Sequence, residues 1–511
     1  MAEVRIAILL HSHMPYVRRN GDWPVGEEWI LEAWAESYLP IWELIEDLAA
    51  GDTPGKLALT LTPVLAEQLG DAYLQERLRG YLENKVRQAR EEVSRLQGMG
   101  DGPRARLAAL FGEDYRRLLR GYEERFRGRM TEVLREGMEK GVLEVLASAA
   151  THAHLPSLAS DTSRRAQVEI GLESHRRRFG RDPVGFWLPE CSYAPHLDPL
   201  LAEHSPPLRY VVLDHTAPES APENAPTWQP RRLGSTPLLA LMRDRLAHDL
   251  VWTMHGYPSH GLYREYSKRD HDGHGYQYWR VTSGATPLDH KDVYDPEAAA
   301  GRAREDARDF AARLRRRKEE ITAASRGGGE PGLILAAYDT ELLGHWWREG
   351  STWLREVLAL LGEDAVLPSR VVEESLAGEP ATLSPRMTAW NVDGTFSAWV
   401  NPATSEIWEE LRRAEEDLPR QVEKWEGRFP ESGRALAQAA RELLLMEASD
   451  WTYMITRDEA SDYARDRFRS HLGRYATIAE MLDRGSIDPS TLASLEDTDN
   501  IFPWLTPSHW R

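Results

Sequence analysis

The chain of 511 residues contains a single cysteine, Cys191. One thiol cannot close an intrachain disulfide or supply a cysteine-cluster metal site. The sequence also lacks an apolar stretch of the about 18 residues that a membrane-spanning helix requires. Its first residues carry neither a basic leader nor a cleavage-site pattern, so we expect no signal peptide, no membrane partner and a cytoplasmic protein.

Basic side chains are also in deficit, with 63 Lys and Arg against 82 Asp and Glu. The resulting net charge of −19 repels a phosphate backbone, which predicts that nucleic acid is not a partner. Hydrophobic residues make up 41 % of the chain and charged residues 28 %. These are the proportions of ordinary globular domains, and they exclude a disordered or collagen-like chain.

Phenylalanine is scarce, with 9 residues, whereas the chain has 18 Trp and 18 Tyr. Trp and Tyr are flat rings with one polar edge, and such rings suit binding clefts that are partly filled with water. For any single Trp, a place in the core is an equally simple interpretation.

Short apolar runs recur along the chain, and most end in a polar residue. The runs are Val4–Leu10, Lys56–Leu61, Val142–Ala150, Val184–Leu188, Tyr210–Leu213, Leu238–Met242 and Leu333–Ala337. They are continuous rather than alternating, which is typical of parallel strands buried on both faces. Helical patterns lie between several of them, so we predict an α/β fold. Seven such strands favour a barrel, although periodicity does not separate a barrel from an open sheet.

Two parts of the chain break this alternation. Glu67–Gly98 and Arg104–Lys140 are charged and helical in pattern, and they predict a helical hairpin inserted at about residues 67–140. After Pro402 the pattern is almost wholly helical. We therefore expect a catalytic barrel at residues 1–401 and a C-terminal all-helical domain at residues 402–511.

Histidines occur in two H-x-H pairs directly after predicted strands. The pairs are His11 with His13 and His152 with His154. Alternate residues of a strand face the same way, so each pair is able to ligate zinc, and a metal-dependent hydrolase is one interpretation. Histidines that hydrogen-bond a polyol substrate are equally consistent with the pattern.

Two carboxylates follow buried strands and are flanked by large aromatic residues, Glu190 in GFWLPEC and Asp339 in YDTELLGHWW. Burial beside Trp raises the pKa of a carboxyl group unless a partner compensates. Glycoside hydrolysis requires a pair of carboxyl groups, one to attack the anomeric carbon and one to protonate the leaving oxygen. The carboxylate pair and the aromatic excess both indicate a carbohydrate substrate.

Taken together, these motifs resemble glycoside hydrolase family 57, and within it the 1,4-α-glucan branching enzymes. The resemblance extends from about residue 4 to about residue 480. It is carried by His11–Tyr16, Ala150–Pro156, Trp187–Cys191, Tyr338–Trp347, Trp390–Trp399 and Ser449–Trp451.

The resemblance implies an incomplete (β/α)7 barrel with a helical insertion and a helical C-terminal domain over the cleft. It implies a retaining reaction on α-glucan without a metal or other cofactor, with Glu190 as the nucleophile and Asp339 as the general acid/base. In a branching enzyme the acceptor is the 6-hydroxyl group of another glucan chain, and in an amylase it is water. The sequence does not determine the oligomeric state.

Further residues are predicted to bind the substrate, from the matched motifs and from their places after strands. The histidines are expected to hydrogen-bond sugar hydroxyls, the Trp side chains to wall the site or stack on sugars, and the arginine to orient a catalytic carboxylate. The set is His11, His13, Trp29, His152, Trp187, Asp214, His215, Arg264, Trp279, His345, Trp346, Trp390, Trp399 and Asp450.

The chain departs from the family pattern at one loop. In branching members of the family, a mobile loop with a Tyr helps to shield the reaction intermediate. The comparable stretch, Asp214–Arg245, has no Tyr, and Trp228 is the aromatic residue that can replace it. An α-amylase-type hydrolase is therefore the main alternative. A metal-dependent hydrolase and a non-catalytic glucan-binding protein remain as more distant ones.

We expect a metal chelator to leave the rate on α-glucan unchanged, because the resemblance implies a metal-free mechanism. The measurement is the initial rate with and without EDTA, followed by zinc addition. A loss of rate that zinc restores would contradict this prediction and support the metal-dependent alternative.

Overall fold

The structure is a computed structural model that describes residues 3–223, 225–270, 275–324 and 330–511. A glycine-rich loop in the sequence, Gly327–Gly329, lies outside the described residues. Within the described ranges nine strands form one sheet. They are β1 (Val4–Ser12), β2 (Leu57–Leu61), β3 (Leu143–Ser148), β4 (Gly185–Trp187), β5 (Tyr210–Leu213), β6 (Arg231–Leu233), β7 (Leu239–Met242), β8 (Gly332–Asp339) and β9 (Thr382–Leu383).

The strand order is β8-β1-β2-β3-β4-β5-β7-β6-β9. The first seven strands in this order are parallel to one another, and β6 pairs antiparallel with β7. A parallel bridge between Arg243 and Leu335 brings the end of β7 against β8. The seven parallel strands thus curl into the incomplete (β/α)7 barrel that was predicted.

All seven predicted apolar runs are strands of this barrel, and their side chains are buried almost throughout. Burial on both faces explains why these runs are continuous rather than alternating. The sequence did not predict β6 and β9. These strands have three residues and two residues and carry no apolar run; β6 pairs with β7, and β9 pairs with β6.

Seventeen α-helices surround and extend the barrel within the described ranges. Those of the first half are α1 (Glu27–Ala33), α2 (Leu39–Ala50), α3 (Pro63–Gly70), α4 (Ala72–Gly98), α5 (Gly102–Gly121), α6 (Met130–Glu139), α7 (Asp161–Phe179), α8 (Asp198–Glu203) and α9 (Arg245–Trp252). Those of the second half are α10 (Pro296–Ala324), α11 (Gly350–Leu361), α12 (Pro368–Leu376), α13 (Ser405–Trp425), α14 (Ser432–Met446), α15 (Ser449–Arg457), α16 (Ser461–Asp483) and α17 (Pro489–Thr498).

Helices α4 and α5 form the inserted hairpin and pack along each other. Asp71 caps α4 by accepting from Leu74 N at 2.9 Å, and Asp101 caps α5 by accepting from Arg104 N at 3.1 Å. Such caps satisfy amide groups that the first helical turn leaves unpaired. Helices α3 and α6 flank the hairpin, and α6 packs on α2 and β3 as a helix of the barrel wall.

Helices α13 to α17 pack over one side of the barrel. The barrel residues Phe186 and Val211 lie in the same buried cluster as Leu443 and Leu444 of α14. All five of these helices, including the short α15, lie in the stretch after Pro402 whose sequence pattern is almost wholly helical. None of the described helices combines the length and apolarity that crossing a bilayer would require.

The approach of α7 to β3 gives a stability prediction. A Cβ atom on Gly171 would lie 2.0 Å from the Ser148 carbonyl oxygen, whereas one on Gly473 of α16 would meet nothing within 4 Å. We expect Gly171→Ala to lower the free energy of unfolding by roughly 1–3 kcal/mol through overpacking. Gly473→Ala should raise it by up to about 1 kcal/mol, because alanine favours a helix.

Thermal or denaturant unfolding of the two variants measures this difference. Equal stability of Gly171→Ala and the parent protein would contradict the close contact of α7 with β3.

Candidate active site

Polar side chains converge where the barrel strands end. Asp339 is the last residue of β8 and is the register partner of His11 on β1. His152 follows β3, and Glu190 follows β4. Residues at the carboxyl ends of barrel strands form the active sites of such folds, so this edge is the candidate active site.

Glu190 lies in a short 3-10 turn, Pro189–Cys191, in a backbone conformation that is rare for residues other than glycine. Its φ is 61°, that of Cys191 is 47°, and that of His152 is 59°. A left-handed conformation costs a non-glycine residue free energy and recurs at functional sites. The Glu190 carbonyl oxygen accepts from Trp390 N at 2.9 Å, and this bond anchors the turn.

The Glu190 carboxylate receives a hydrogen bond at each oxygen. Trp390 Nε1 donates to Oε2 at 2.7 Å, and the Ser449 hydroxyl donates to Oε1 at 2.7 Å. Burial raises the pKa of Glu190, while these two hydrogen bonds act to lower it. Donors at both oxygens favour the ionised form, which is the form that a nucleophile requires.

Asp339 has a different environment. Burial raises the pKa of Asp339 well above its usual value, and the negative charges of Glu341 and Glu190 raise it further. The nearby cations Arg243 and His13 lower it, but they do not outweigh burial. The surroundings favour the neutral form of Asp339 more strongly than that of Glu190, because only Glu190 has hydrogen-bond donors among the influences that lower its pKa. Two carboxyl groups whose surroundings differ in this way are suited to opposite roles.

Glu341 is a functional candidate that the sequence analysis quoted within a motif without assigning it a role. Its Oε1 accepts from the Tyr38 hydroxyl at 2.5 Å and from His13 N at 3.1 Å. Burial raises the pKa of Glu341 to about 7 against these hydrogen bonds. Its charge is the one that raises the pKa of Asp339 most.

The histidines at the site differ in charge. Burial opposes a charge on His13, but the carboxylate of Asp450, 3.0 Å from Nε2, outweighs burial and raises the pKa of His13. Burial lowers the pKa values of His11 and His152 well below the usual value. Their Nε2 atoms are 3.0 Å apart, so these two rings are a neutral, hydrogen-bonded pair.

This arrangement does not match the zinc interpretation of the H-x-H pairs. His13 Nδ1 contacts Thr62 Oγ1 at 3.1 Å, and its Nε2 binds Asp450. His154 does not join the other three histidines, because its ring stacks on Trp399 at 4.9 Å and its Nδ1 binds the Ser157 hydroxyl at 2.8 Å. The protein thus already occupies both ring nitrogen atoms of His13 and of His152, and one each of His11 and His154. His11 Nδ1 and His154 Nε2 are buried without a hydrogen-bond partner, but His154 lies apart from the other three rings, so the two pairs do not share one ion.

Among the described residues, one buried group has metal-like spacing, namely Glu442, His471 and Asp499. Arg467 contacts His471 Nε2 at 2.8 Å, and Arg474 donates to Asp499 at 2.8 Å. Two guanidinium groups already balance the carboxylates, so this group is a structural ion network between α14, α16 and the end of α17.

Three predicted Trp side chains lie at the site, and one of them, Trp390, contacts the Glu190 carboxylate. Trp187 is fully buried and stacks on His11 with ring centroids 4.5 Å apart. Trp399 is also buried, at 1 % exposure, against His154. These two rings pack against the histidines, and because they are buried they have no exposed face on which a sugar could stack. Trp390 is half-buried, and it remains available at the cleft.

Arg243 was not predicted as a site residue, and it packs against the ring of Trp390. Its guanidinium lies 5.2 Å from the Trp390 ring centre and donates to Asp214 Oδ2 at 2.9 Å. Burial opposes ionisation of Asp214, but the neighbouring His215 and Arg243 outweigh burial and lower the pKa of Asp214 to about 2. Asp214 is thus held by the protein, which leaves the partly exposed His215 as the sugar-binding candidate of this pair.

Arg264 does not orient either predicted catalytic carboxylate, and that prediction is wrong. Its guanidinium binds Glu36 at 3.3 Å, and His345 Nδ1 lies 3.4 Å from the same Glu36 oxygen. Burial opposes ionisation of Glu36, but Arg264 and His345 outweigh it and lower the pKa of Glu36 well below its usual value. Sequence reasoning missed Glu36, because it lies on a π-helical turn far from the motifs.

Trp346 follows His345 and lies at the protein surface. Its side chain is 38 % exposed, and its ring contacts that of the exposed Trp252 at 6.4 Å. Trp252 ends α9 and was not predicted. The two exposed rings form an aromatic surface beside the site, because Trp346 N donates to the Glu341 carbonyl oxygen.

Trp29 and Trp279 have their contacts away from the carboxylate pair. The Trp29 ring contacts Tyr463 of α16 at 5.3 Å. The Trp279 ring lies under Lys268 at 4.3 Å and beside Arg104 of the inserted hairpin at 5.6 Å. Neither ring is brought to Glu190 or Asp339 by these contacts.

Trp228 cannot replace the missing loop Tyr. It packs on Gly332, and its carbonyl oxygen accepts from Leu333 N at 2.7 Å, so it lies where β8 begins. That end of β8 is about 20 Å from Asp339 at 3.3 Å per residue. Besides Tyr38, which donates to Glu341, a tyrosine of α15 lies near the site, namely Tyr453, whose pKa is raised by burial and by the Glu190 charge.

These features define a class of protein. A buried pair of carboxyl groups at the open end of a parallel barrel, with Trp rings beside them, is the arrangement that glycoside hydrolysis requires. Residues 7–381 match the family described as glycosyl hydrolase family 57. The chain therefore belongs to glycoside hydrolase family 57. Residues 410–510 match a second family, 1,4-alpha-glucan branching enzyme, C-terminal.

The relatives include enzymes of two activities. The chain is 35 % identical to the 1,4-alpha-glucan branching enzyme of Thermococcus kodakarensis, over 97 % of this chain and 77 % of the relative. The crystal structure of the branching enzyme from Pyrococcus horikoshii is similar at a TM-score of 0.90 and 32 % identity, covering 99 % of this chain and 96 % of that one. The alpha-amylase AmyC from Thermotoga maritima is similar at 0.87 and 27 %, covering 99 % and 98 %.

The position of Glu341 gives a prediction for the pH profile. Removing its charge in Glu341→Gln should lower the pKa of Asp339, because a like charge favours the protonated form of its neighbour. The alkaline limb of kcat/KM should therefore move to lower pH. The measurement is the pH profile of kcat/KM for the parent and the variant.

The amide oxygen introduced by Glu341→Gln keeps an acceptor for Tyr38 and His13, so the variant tests charge more than shape. An alkaline limb that does not move would show that the Glu341 charge does not act on the general acid.

Proposed function

We propose that this protein is a 1,4-α-glucan branching enzyme, which cleaves an α-1,4 bond of one glucan chain and forms an α-1,6 branch on another. The observation that carries the proposal is the Glu190 carboxylate, with a donor at each oxygen, together with the buried carboxyl group of Asp339, whose pKa is raised well above its usual value. The likeness to branching enzymes over nearly the whole chain supports transfer as the outcome.

In the proposed first step, a Glu190 oxygen attacks the anomeric carbon and the bond to the leaving oxygen breaks. Asp339 transfers its proton to that oxygen, so the leaving chain departs as an alcohol. The product of this half-reaction is a covalent glucosyl–enzyme ester at Glu190. As Glu190 loses its negative charge, one influence that raises the pKa of Asp339 disappears, and Asp339 becomes able to remain ionised.

In the second step Asp339 acts as a base. It accepts the proton of the acceptor hydroxyl, whose oxygen attacks the anomeric carbon and releases Glu190. Two inversions give net retention, and retention requires the two carboxyl groups to lie about 5–5.5 Å apart. Transfer results when the acceptor is a glucan 6-hydroxyl, and hydrolysis results when it is water.

The choice between transfer and hydrolysis depends on what covers the intermediate. Tyr453 and Ser449 both lie on α15, which reaches the site from the C-terminal helices. We infer that α15 contributes to the exclusion of water in place of the loop Tyr. The absence of a Tyr from residues 214–245 keeps an α-amylase-type hydrolase as the second candidate, and AmyC has a similar fold.

The deciding experiment is incubation of the purified protein with amylose. New α-1,6 linkages are counted by proton NMR, and released reducing ends are counted in parallel. We expect many branches and few reducing ends, because a glucan acceptor replaces water at the intermediate. Reducing ends without branches would assign the protein to the hydrolases.

The two carboxyl groups can be tested separately. Glu190→Gln should abolish turnover and retain glucan binding, because it removes the nucleophile but keeps the shape of the side chain. Asp339→Ala should be slow on natural glucan and faster on a substrate with a good leaving group or with added azide, since neither needs the acid or base. Kinetic assays of both variants, with glucan affinity gels, measure these effects.

The matched control is Asp289→Asn, since this carboxylate is 77 % exposed and pairs with the exposed His290. Full activity of Glu190→Gln, or absence of any rescue of a folded Asp339→Ala protein, would contradict the assigned roles.

The organisation that we propose is a catalytic barrel with its insertion up to about residue 401 and a helical domain from residue 402. The match of residues 410–510 to a separate family supports this division. The single cysteine, which is buried, is consistent with a reducing compartment, and we propose the cytoplasm. The proposed partner is α-glucan, and the net charge of −19 disfavours nucleic acid.

A further inference from the structure

A long groove lies outside the candidate active site, between α1 and the inserted helix α4. It encloses about 780 Å³, and its floor follows α4 from Tyr73 to Glu91. That part of the helix spans about 27 Å at 1.5 Å per residue. The groove is therefore shaped for an extended chain rather than for a compact small molecule.

The floor of the groove is one stripe of the helix. Tyr73, Arg77, Gly80, Asn84 and Gln88 line it at spacings of three and four residues, which place them on the same face. Gly80 lies in the middle of this stripe, and a Cβ atom there would meet nothing within 4 Å. The groove is open at that point because the residue has no side chain.

The chemistry of the lining matches a neutral polyhydroxylated ligand. The Trp23 ring is 42 % exposed. The Tyr73 and Tyr81 rings also line the groove, where Arg18 and Arg19 lie over Tyr73 and Lys85 lies over Tyr81. The side-chain amide of Asn84, whose Oδ1 accepts from Arg87, contributes an amide donor.

Charge at the groove is already balanced within the protein. Arg77 Nε donates to Glu27 at 2.7 Å, and Arg77 also pairs with Asp22. Glu76 pairs with Arg79 at 3.1 Å and with Arg127 at 2.8 Å. The lining has four acidic and three basic side chains, so the groove offers no excess of positive charge that would select a phosphate.

The groove is separate from the proposed substrate-binding residues. Glu28 and Leu31 of α1 line it, whereas Trp29 is about 100° further round the helix. Trp29 packs on Tyr463 of α16 instead. Neither Glu190 nor Asp339 is among the residues that line the groove.

We propose that this groove is a second binding site for an α-glucan chain, which holds long polymer on the insertion while another part of the polymer reacts in the cleft. The inference rests on the proposed function. A second site of this kind raises the effective concentration of polymer at the cleft. It therefore acts on long glucan and has no effect on short maltooligosaccharides.

The test is Gly80→Leu, which fills the groove. Replacing a helix-interior glycine favours the helix, and the open space means that the new side chain does not clash. The matched control is Gly98→Leu at the end of the same helix, where a Cβ atom also meets nothing within 4 Å. Trp23→Ala is a second variant, which removes a ring without adding volume.

Binding is measured by affinity electrophoresis in glycogen-containing gels, with each substitution made in the Glu190→Gln protein so that turnover does not interfere. Rates on amylose and on a short maltooligosaccharide are measured in the catalytically competent protein. We expect Gly80→Leu and Trp23→Ala to weaken retention and raise KM for amylose about two- to tenfold, the effect of losing one aromatic contact. We expect unchanged kcat and unchanged rates on the short substrate.

Retention and KM equal to those of Gly98→Leu would overturn the second site and leave the proposed function intact. Equal losses on amylose and on the short substrate would also overturn it, because they would indicate damage to the active site. A parent protein that neither binds nor converts glucan would overturn the proposed function and the second site together.

Discussion

The hydrogen bonds to the Glu190 carboxylate connect most of the site. A buried carboxylate needs donors, because burial without them favours the neutral form. The barrel supplies the turn that presents Glu190, but one donor comes from Trp390 and the other from Ser449 of α15. The C-terminal helices are therefore part of the active site. They share a buried cluster with the barrel, and this shared core holds Ser449 in place.

Helix α15 also influences the charge of the neighbouring histidines. Asp450 follows Ser449 on α15 and raises the pKa of His13, while burial lowers the pKa values of His11 and His152. Positive charge is thus favoured on His13 among these three neighbouring rings. On the other side, Glu341 lies between His13 and Tyr38 and opposes ionisation of Asp339. Each proposed catalytic carboxyl group has its own set of charges, and this difference allows one to attack while the other donates a proton.

Aromatic residues serve several purposes in this protein. Trp187 and Trp399 are buried and fix the histidines by stacking. Trp390 donates to the proposed nucleophile, and Trp346 with Trp252 presents exposed rings next to Glu341. The groove on α4 adds a further exposed ring at Trp23. The excess of Trp in the composition therefore reflects both support of the catalytic edge and surfaces suited to sugar rings.

The sequence by itself determined the seven barrel strands, because continuous apolar runs are required wherever both faces of a strand are buried. It also located Glu190 and Asp339, since strand ends carry the polar residues of a barrel. Only the tertiary structure decided which partners these groups have. Arg264 binds Glu36 and not a catalytic carboxylate, Trp399 is enclosed, and Ser449 crosses from another part of the chain to Glu190. Such contacts depend on how distant segments pack, and local patterns in the sequence do not record that packing.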